Sequence, residues 1–253
     1  MNGNDRAGVC MSCAIANAIN LTTAAIGDTR LIATLDDVVR FYKTQNPNFD
    51  WNGGIRTGPG SRADNGMDMQ TACETLTKTG FRVGDTTVKA VGFAAVDHDS
   101  LEELRAAVSL FGFLLIGVDM TQAQQSNWPR NAWDYVRGLP SIGGHAVLGG
   151  GHMDKATDEH RFVCWAARNT MTQAFVDHQL MEAWVVILPW HLGQKRFIEG
   201  MDLATFARDY ETITDKKFPV DVSPQPQPTP IPATDPDRQL VADQNAWRKA
   251  KGL

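Results

Sequence analysis

A cysteine and a histidine that stand far apart in the sequence have the residue types of a nucleophile and its base. Cys10 lies in GNDRAGVCMSC (residues 3–13), and His145 lies in GGHAV, 135 residues later (145 − 10). A cysteine attacks a carbonyl carbon as the thiolate, so it needs a neighbour that takes its proton or stabilises its charge. The pair predicts nucleophilic catalysis in which His145 removes the thiol proton of Cys10 and later returns it to the leaving group.

The segments around both residues predict elements that would bring them together. MSCAIANAINL, which follows Cys10, has small and apolar residues at the spacing of a buried helix, so Cys10 is expected in the first turn of that helix. HAVLG is typical of a strand that begins at His145. A cysteine that begins a helix and faces a histidine on a sheet is the arrangement of thiol peptidases, and separations of roughly 130 to 150 residues occur among them.

Four motifs resemble, in order and spacing, those of papain-like cysteine peptidases, and in particular the short papain-fold proteins of phage and bacterial genomes that read G-N-D-x-x-G-x-C at the nucleophile. The motifs are GNDRAGVC, GGHAVLGGG, FVCWAARNTMT and MEAWVVILPWHL, within residues 2 to 192. The resemblance implies an α+β, two-lobed fold, with an N-terminal helical lobe that carries the Cys10 helix and a C-terminal antiparallel β-sheet lobe that carries His145. It also implies a thiol hydrolase that cleaves a peptide or isopeptide bond.

Two cysteines compete for the role of nucleophile. The papain pattern Q-x-x-C-x-x-C uses its second cysteine, which would favour Cys13. Papain-like enzymes also keep an oxyanion-hole Gln six positions before the nucleophile. Six before Cys10 is Asn4, whose amide can donate, whereas six before Cys13 is Ala7, which cannot. Cys10 is therefore the predicted nucleophile, with its own N–H and the Asn4 side chain as the oxyanion hole.

The residue that orients the imidazole is less well determined by the sequence. Papain-like enzymes place an Asn two residues before a Trp-Gly pair, and this chain has Val163 there, with Trp165 followed by Ala166. Asn169 is the predicted third member, with Asp154, a backbone carbonyl or a water molecule as alternatives. These departures favour a second interpretation, in which a papain-fold protein with a decayed site has a structural or binding role, for example in a phage particle.

The cysteine pattern predicts no metal or cofactor site. Cys10 and Cys13 form a CxxC pair, but no second CxxC or HxxxH follows, and Cys73 and Cys164 stand alone in the sequence. Four cysteines in this length are also too few for a disulfide framework, so we expect reduced thiols in a reducing compartment.

Composition restricts the classes of partner and location. With 253 residues, of which 43% are hydrophobic, the chain fits one domain of about 200 residues and an appendage. The net charge of −5 lacks the excess of basic residues that is typical of nucleic-acid-binding proteins. No apolar run approaches the roughly 18 residues of a membrane span, and a signal peptide is not recognisable. We expect a peptide or protein substrate, no membrane association, and a location in the cytoplasm or in a virion.

The sequence predicts four consecutive regions. Residues 1–192 form the papain-like domain, and 193–218 form a helical extension around MDLATFARDYETIT (201–214). Seven prolines between 219 and 236 predict an extended linker over 219–238. A short amphipathic tail, 239–253, follows. A tether with an apolar end predicts that residues 219–253 dock to a protein assembly, and the alternative is a disordered tail.

Hydrophobic periodicity predicts the remaining elements. Helices are expected over 35–45, 67–81, 100–112 and 172–181, and strands over 88–96 and 113–120. Three further strands are expected at HAVLGGG, RFVCWAA and AWVVILPW. They would form a small antiparallel sheet.

Overall fold

The computed structural model describes residues 2–51, 63–128, 130–154, 159–193 and 197–222. The chain divides into a compact unit, Met1–Val220, and a C-terminal unit, Asp221–Leu253, of which only residues 221 and 222 are described. The helices are α1 (Cys10–Ala25), α2 (Leu35–Tyr42), α3 (Met69–Lys78), α4 (Leu101–Phe111), α5 (Gln122–Asn127), α6 (Gln173–Gln179) and α7 (Leu203–Thr214), with a 3₁₀ turn at Pro189–Leu192. The strands are β1 (Phe81–Val83), β2 (Thr86–Val88), β3 (Gly92–Val96), β4 (Leu114–Thr121), β5 (Ser141–Asp154), β6 (Glu159–Cys164), β7 (Ala167–Met171) and β8 (Leu180–Ile187).

Helix α1 lies at the centre of the helical lobe, because its own side chains are mostly small or branched and apolar. Ile15 and Ile19 are each 1% exposed, and the alanines between them let neighbouring elements approach closely. Helices α2 and α3 pack against α1. Their starts are fixed locally: Thr34 and Asp37 form a reciprocal capping box on α2, and the Asp68 carboxylate caps α3.

The sheet lobe is a six-stranded antiparallel sheet in the order β3-β8-β4-β5-β6-β7. Helix α1 packs on β5, and Ala146 and Leu148 of that strand share one buried cluster with the apolar residues of α1. Strand β5 therefore connects the two lobes. The predicted α+β fold, with a cysteine-bearing helical lobe and a histidine-bearing antiparallel sheet, is confirmed.

Helix α7 extends the compact unit beyond the last strand. Phe206 and Tyr210 of α7 place their rings 5.3 and 6.2 Å from that of Phe111 in α4, and Phe218 closes the cluster at 5.7 Å from Phe206. Asp202 caps the helix by accepting from the Thr205 N–H. In the described part of the chain, every helix is too short or too polar to cross a membrane.

Most predicted elements are confirmed, and two differ for identifiable reasons. The strand predicted over 88–96 is interrupted between Val88 and Gly92, where the Ala90 N–H donates to the Leu76 carbonyl in α3 instead of to a strand. The single strand predicted at RFVCWAA is a hairpin. Trp165 and Ala166 both have positive φ, 40° and 60°, so the chain reverses there between β6 and β7.

Candidate active site

Cys10 is the first residue of α1 and faces β5. The backbone N–H groups of Ala146 in β5, Met11 and Cys10 lie near the sulfur and favour its charged form. Burial has the largest effect and raises the pKa of the Cys10 thiol, and these donors offset only part of that rise. The thiol is therefore protonated at neutral pH, although backbone donors surround it.

His145 precedes Ala146 on β5, opposite Val118 of β4. It lines one pocket with Cys10, and Gly66, Met181 and Glu182 border the same pocket. Burial lowers the pKa of His145 to about 4, so the imidazole is neutral at pH 7. A neutral imidazole has a lone pair on one ring nitrogen, which is the form that a general base requires.

The imidazole of His145 has a cysteine as its hydrogen-bonding partner. Its Nε2 atom lies 3.0 Å from the Cys164 sulfur at the end of β6. Trp165 covers the ring, with centroids 5.0 Å apart and planes inclined by 38°, and the Trp133 ring lies 6.2 Å away. Among the residues that the structure describes, no hydrogen bond joins His145 to Cys10 directly.

Asn4 lies in the loop that leads into α1 and lines a pocket with Cys10, Cys164 and Trp165. The indole N–H of Trp165 donates to the Asn4 carbonyl oxygen at 3.0 Å. This bond joins the loop before the nucleophile to the hairpin beside the histidine. Cys10 therefore borders one pocket with Asn4 and another with His145.

Cys13, the alternative nucleophile, lies one turn further along α1. It is 7% exposed, and its thiol donates to the Asn2 carbonyl oxygen at 3.8 Å. Burial, followed by the nearby Cys10, raises the pKa of Cys13 to about 12. This environment is that of a buried thiol that packs in the core.

Asn169 lies on β7, opposite Phe162 of β6. Its amide N–H donates to the Asn131 carbonyl at 2.9 Å, and its amide oxygen accepts from the Thr170 N–H at 2.9 Å. Both polar atoms of the amide are thus engaged away from the imidazole. Asp154 ends β5, and its side chain lies outside the described part of the structure.

Sequence reasoning missed Cys164, although strand alternation contains a signal for it. In the β5–β6 pair, Val163 stands opposite Leu148, so Val163 shares the face of Leu148. Neighbouring residues of a strand point to opposite faces, so Cys164 shares the face of His145. The papain-like spacing, two residues before Trp165, points to Val163 as the neighbour of the imidazole. The strand register instead places Cys164 on the face of His145.

Asp64 was also missed, and it fixes the loop before the nucleophile. Its carboxylate accepts from the Gly8 N–H at 3.0 and 3.2 Å and from the Tyr42 hydroxyl at 2.5 Å. The Tyr42 oxygen in turn accepts from the Gly66 N–H at 2.9 Å. A Cβ atom on Gly8 would lie 2.9 Å from an Asp64 oxygen, so the glycine of GNDRAGVC permits this close approach.

The solved structures with a similar fold include two cysteine proteases. Xylellain, a cysteine protease from Xylella fastidiosa, matches with a TM-score of 0.56 and 15% identity over 72% of this chain and 80% of that chain. The Carica candamarcensis cysteine protease CMS1MS2, in complex with E-64, matches with a TM-score of 0.50 and 11% identity over 73% of this chain and 90% of that chain. No protein-family model and no curated protein sequence matches. The chain has the papain-like fold of these thiol hydrolases.

Proposed function

We propose that this protein is a thiol hydrolase that cleaves a peptide or isopeptide bond, with Cys10 as the nucleophile and His145 as the base. One observation supports this role most directly. Cys10 and His145 line the same pocket, and the N–H of Ala146, the residue next to His145, favours the thiolate of Cys10. Helix α1 and strand β5 thereby hold a thiol and an imidazole at one opening.

The proposed mechanism starts from an uncharged Cys10 thiol and an uncharged His145 imidazole. His145 takes the Cys10 proton while the sulfur attacks the substrate carbonyl carbon, so charge develops only with the substrate in place. The Cys10 N–H, with the Asn4 side chain, stabilises the oxyanion. The imidazolium then gives its proton to the leaving amine, and water hydrolyses the thioester.

A second candidate function is a papain-fold structural or binding role with a decayed site. It is favoured by the absence, among the described residues, of a hydrogen bond between Cys10 and His145, and by the raised pKa of the Cys10 thiol. In this alternative, residues 219–253 attach the domain to an assembly such as a phage particle.

The nucleophile is tested by hydrolysis of fluorescein-labelled casein and by covalent labelling with E-64, the compound bound to the Carica protein. We expect Cys10→Ala to lower the rate by at least about 1000-fold and to prevent labelling. Cys13→Ala, the matched control one helical turn away, should stay within about threefold of the wild type. The reverse result would show that Cys13 is the nucleophile. Inert wild-type protein in both assays would favour the structural role.

The pH dependence of iodoacetamide labelling tests whether Cys10 and His145 are both uncharged at neutral pH. Mass spectrometry locates the label at Cys10. Because the pKa of Cys10 is raised and that of His145 is lowered to about 4, the thiolate forms only at alkaline pH. The labelling rate should rise about tenfold per pH unit from pH 6 to 9, without a plateau below pH 7. A plateau at pH 5 to 7 that is lost in His145→Ala would instead indicate a preformed thiolate–imidazolium pair.

A further inference from the structure

We infer that Cys164 is the positioning residue of His145, in the place where the sequence analysis expected an Asn: its sulfur accepts the Nε2–H of the imidazole and leaves Nδ1 as the basic nitrogen. This inference rests on the proposed function, since the positioned nitrogen is the one that would take the Cys10 proton. It assigns a role to a cysteine that the sequence presents as isolated.

The geometry around the imidazole supports this role. The Nε2–Sγ distance is 3.0 Å, short for a hydrogen bond to sulfur. Cys164 is 3% exposed, so water does not compete for the imidazole from that side. Its position is fixed on both sides, by the β5–β6 pairing and by the hairpin turn that starts at Trp165. A buried, rigidly held acceptor is what selects one histidine tautomer over the other.

In the proposed bond the sulfur is the acceptor. The backbone N–H of Trp165 also interacts with the Cys164 sulfur. Burial, followed by the nearby Cys10, raises the pKa of Cys164, which keeps it a neutral thiol. A neutral sulfur that accepts Nε2–H does not deprotonate the imidazole. It orients the ring, and it can keep this hydrogen bond when Nδ1 gains a proton.

Trp165 connects this arrangement to the rest of the site. Its ring covers His145 at 5.0 Å, and its indole N–H binds the Asn4 carbonyl. One hairpin therefore supplies the acceptor for Nε2, the cover over the ring and an anchor for the loop that leads to Cys10. Val163, on the opposite face of β6 beside Leu148, cannot supply any of these contacts.

The tautomer is read directly by long-range ¹H–¹⁵N NMR of ¹⁵N-histidine-labelled full-length protein, which does not depend on turnover. The wild type and Cys164→Ser, which keeps a hydrogen-bond acceptor, should show His145 as the Nε2–H form. Cys164→Ala should show the Nδ1–H form or a mixture. Cys73→Ala, at another buried cysteine, is the matched control and should retain the wild-type signal. The same tautomer in all four proteins would overturn the inference.

Activity gives the second readout. In the casein assay, Cys164→Ala should lower kcat/KM by about 10- to 100-fold, mainly through kcat, whereas Cys164→Ser should recover most of the loss. Equal losses in both variants, with wild-type melting temperatures, would also overturn the inference. If the wild type hydrolyses nothing while the tautomer still depends on position 164, the proposed function fails and the hydrogen bond stands.

Discussion

The Cys10 thiol and the His145 imidazole are both uncharged at neutral pH because burial disfavours the charged form of each group. The lowered pKa of His145 also has a thermodynamic consequence. The ordinary pKa of this residue is about 6.5, and in the fold the pKa is about 4. Between these values the unfolded chain binds a proton that the folded chain does not, so the folded state loses stability as the pH falls.

Replacing His145 should reduce the loss of unfolding free energy that occurs as the pH falls. Between pH 6.5 and 4 the shift of His145 corresponds to about 3 kcal/mol of lost stability. In urea unfolding at pH 7 and pH 4.5, His145→Gln should therefore lose less stability on acidification than the wild type. His178→Gln, at an exposed histidine, is the control for removing one imidazole. Identical pH dependence in all three proteins would contradict the lowered pKa of His145.

The sequence predicts the site at the residue scale wherever linear spacing is sufficient. Cys10, His145 and Asn4 can be predicted because their motifs and separations are read directly from the sequence. Cys164 is not found, because its proximity to His145 depends on the register between β5 and β6. Asn169 has the expected residue type, yet its amide bonds to Asn131, a partner 38 residues away in the sequence.

At the scale of elements, the β6–β7 hairpin determines how the imidazole is held. Its two turn residues, Trp165 and Ala166, have left-handed backbone angles, which residues with a Cβ adopt at a cost of about 1–2 kcal/mol each. The strain persists because strand pairing and the Trp165 contacts fix the turn from both sides. Ala166 is exposed, so its methyl group contributes little packing in return.

Glycine at this position should relieve the strain. We expect Ala166→Gly to raise the melting temperature by about 1–3 °C, because relief of the left-handed conformation exceeds the greater entropy of an unfolded glycine. Ala95→Gly is the matched control, since Ala95 is exposed in β3 with ordinary strand geometry. It should lower the melting temperature by a similar amount. Equal destabilisation by both substitutions would show that Ala166 is not strained.

Helices and strands with clear periodicity are predictable from the sequence, and the hairpin turn is not. The predicted helices over 35–45 and 100–112 correspond to α2 and α4, and Gly112 ends α4 with a φ of 78°. RFVCWAA, in contrast, is apolar after Arg161 and contains no Gly, Asn or Pro, so nothing in it indicates a reversal. The reversal is imposed by pairing with β5 and by the packing of Trp165 on the site.

At the scale of the whole molecule, helix α7 belongs to the compact unit that ends at Val220. Its aromatic residues pack on Phe111 of α4, and α4 in turn packs on the sheet. Pro219 contacts the backbone position of Gly92 at the start of β3. Helix α7, in the region 193–218 predicted as a helical extension, and Pro219, the first residue of the predicted linker, thus pack beside β3 at the edge of the sheet.

Two truncations distinguish the contribution of α7 from that of the residues after Val220. A chain ended after Val220 should keep the melting temperature within about 1 °C, because the described core lies before that residue. A chain ended after Gly200 loses Phe206, Tyr210 and Phe218, and loss of one such ring alone costs about 3–5 kcal/mol. Its melting temperature should fall by roughly 10 °C or more. If both truncations melt alike, α7 does not contribute to the fold.

The placement of the site between α1 and β5 also determines when the site can form during synthesis. Cys10 leaves the ribosome 135 residues before His145 (145 − 10), an interval of roughly 7 to 27 s at about 5–20 residues per second. Cys164 emerges later still. Strand β5 pairs with β4 and β6, so it holds the His145 ring and the Ala146 N–H in place only when both neighbouring strands are present. Until these strands have been made, the Cys10 thiol has no imidazole beside it. The thiol and the imidazole can come together only after the sheet has formed.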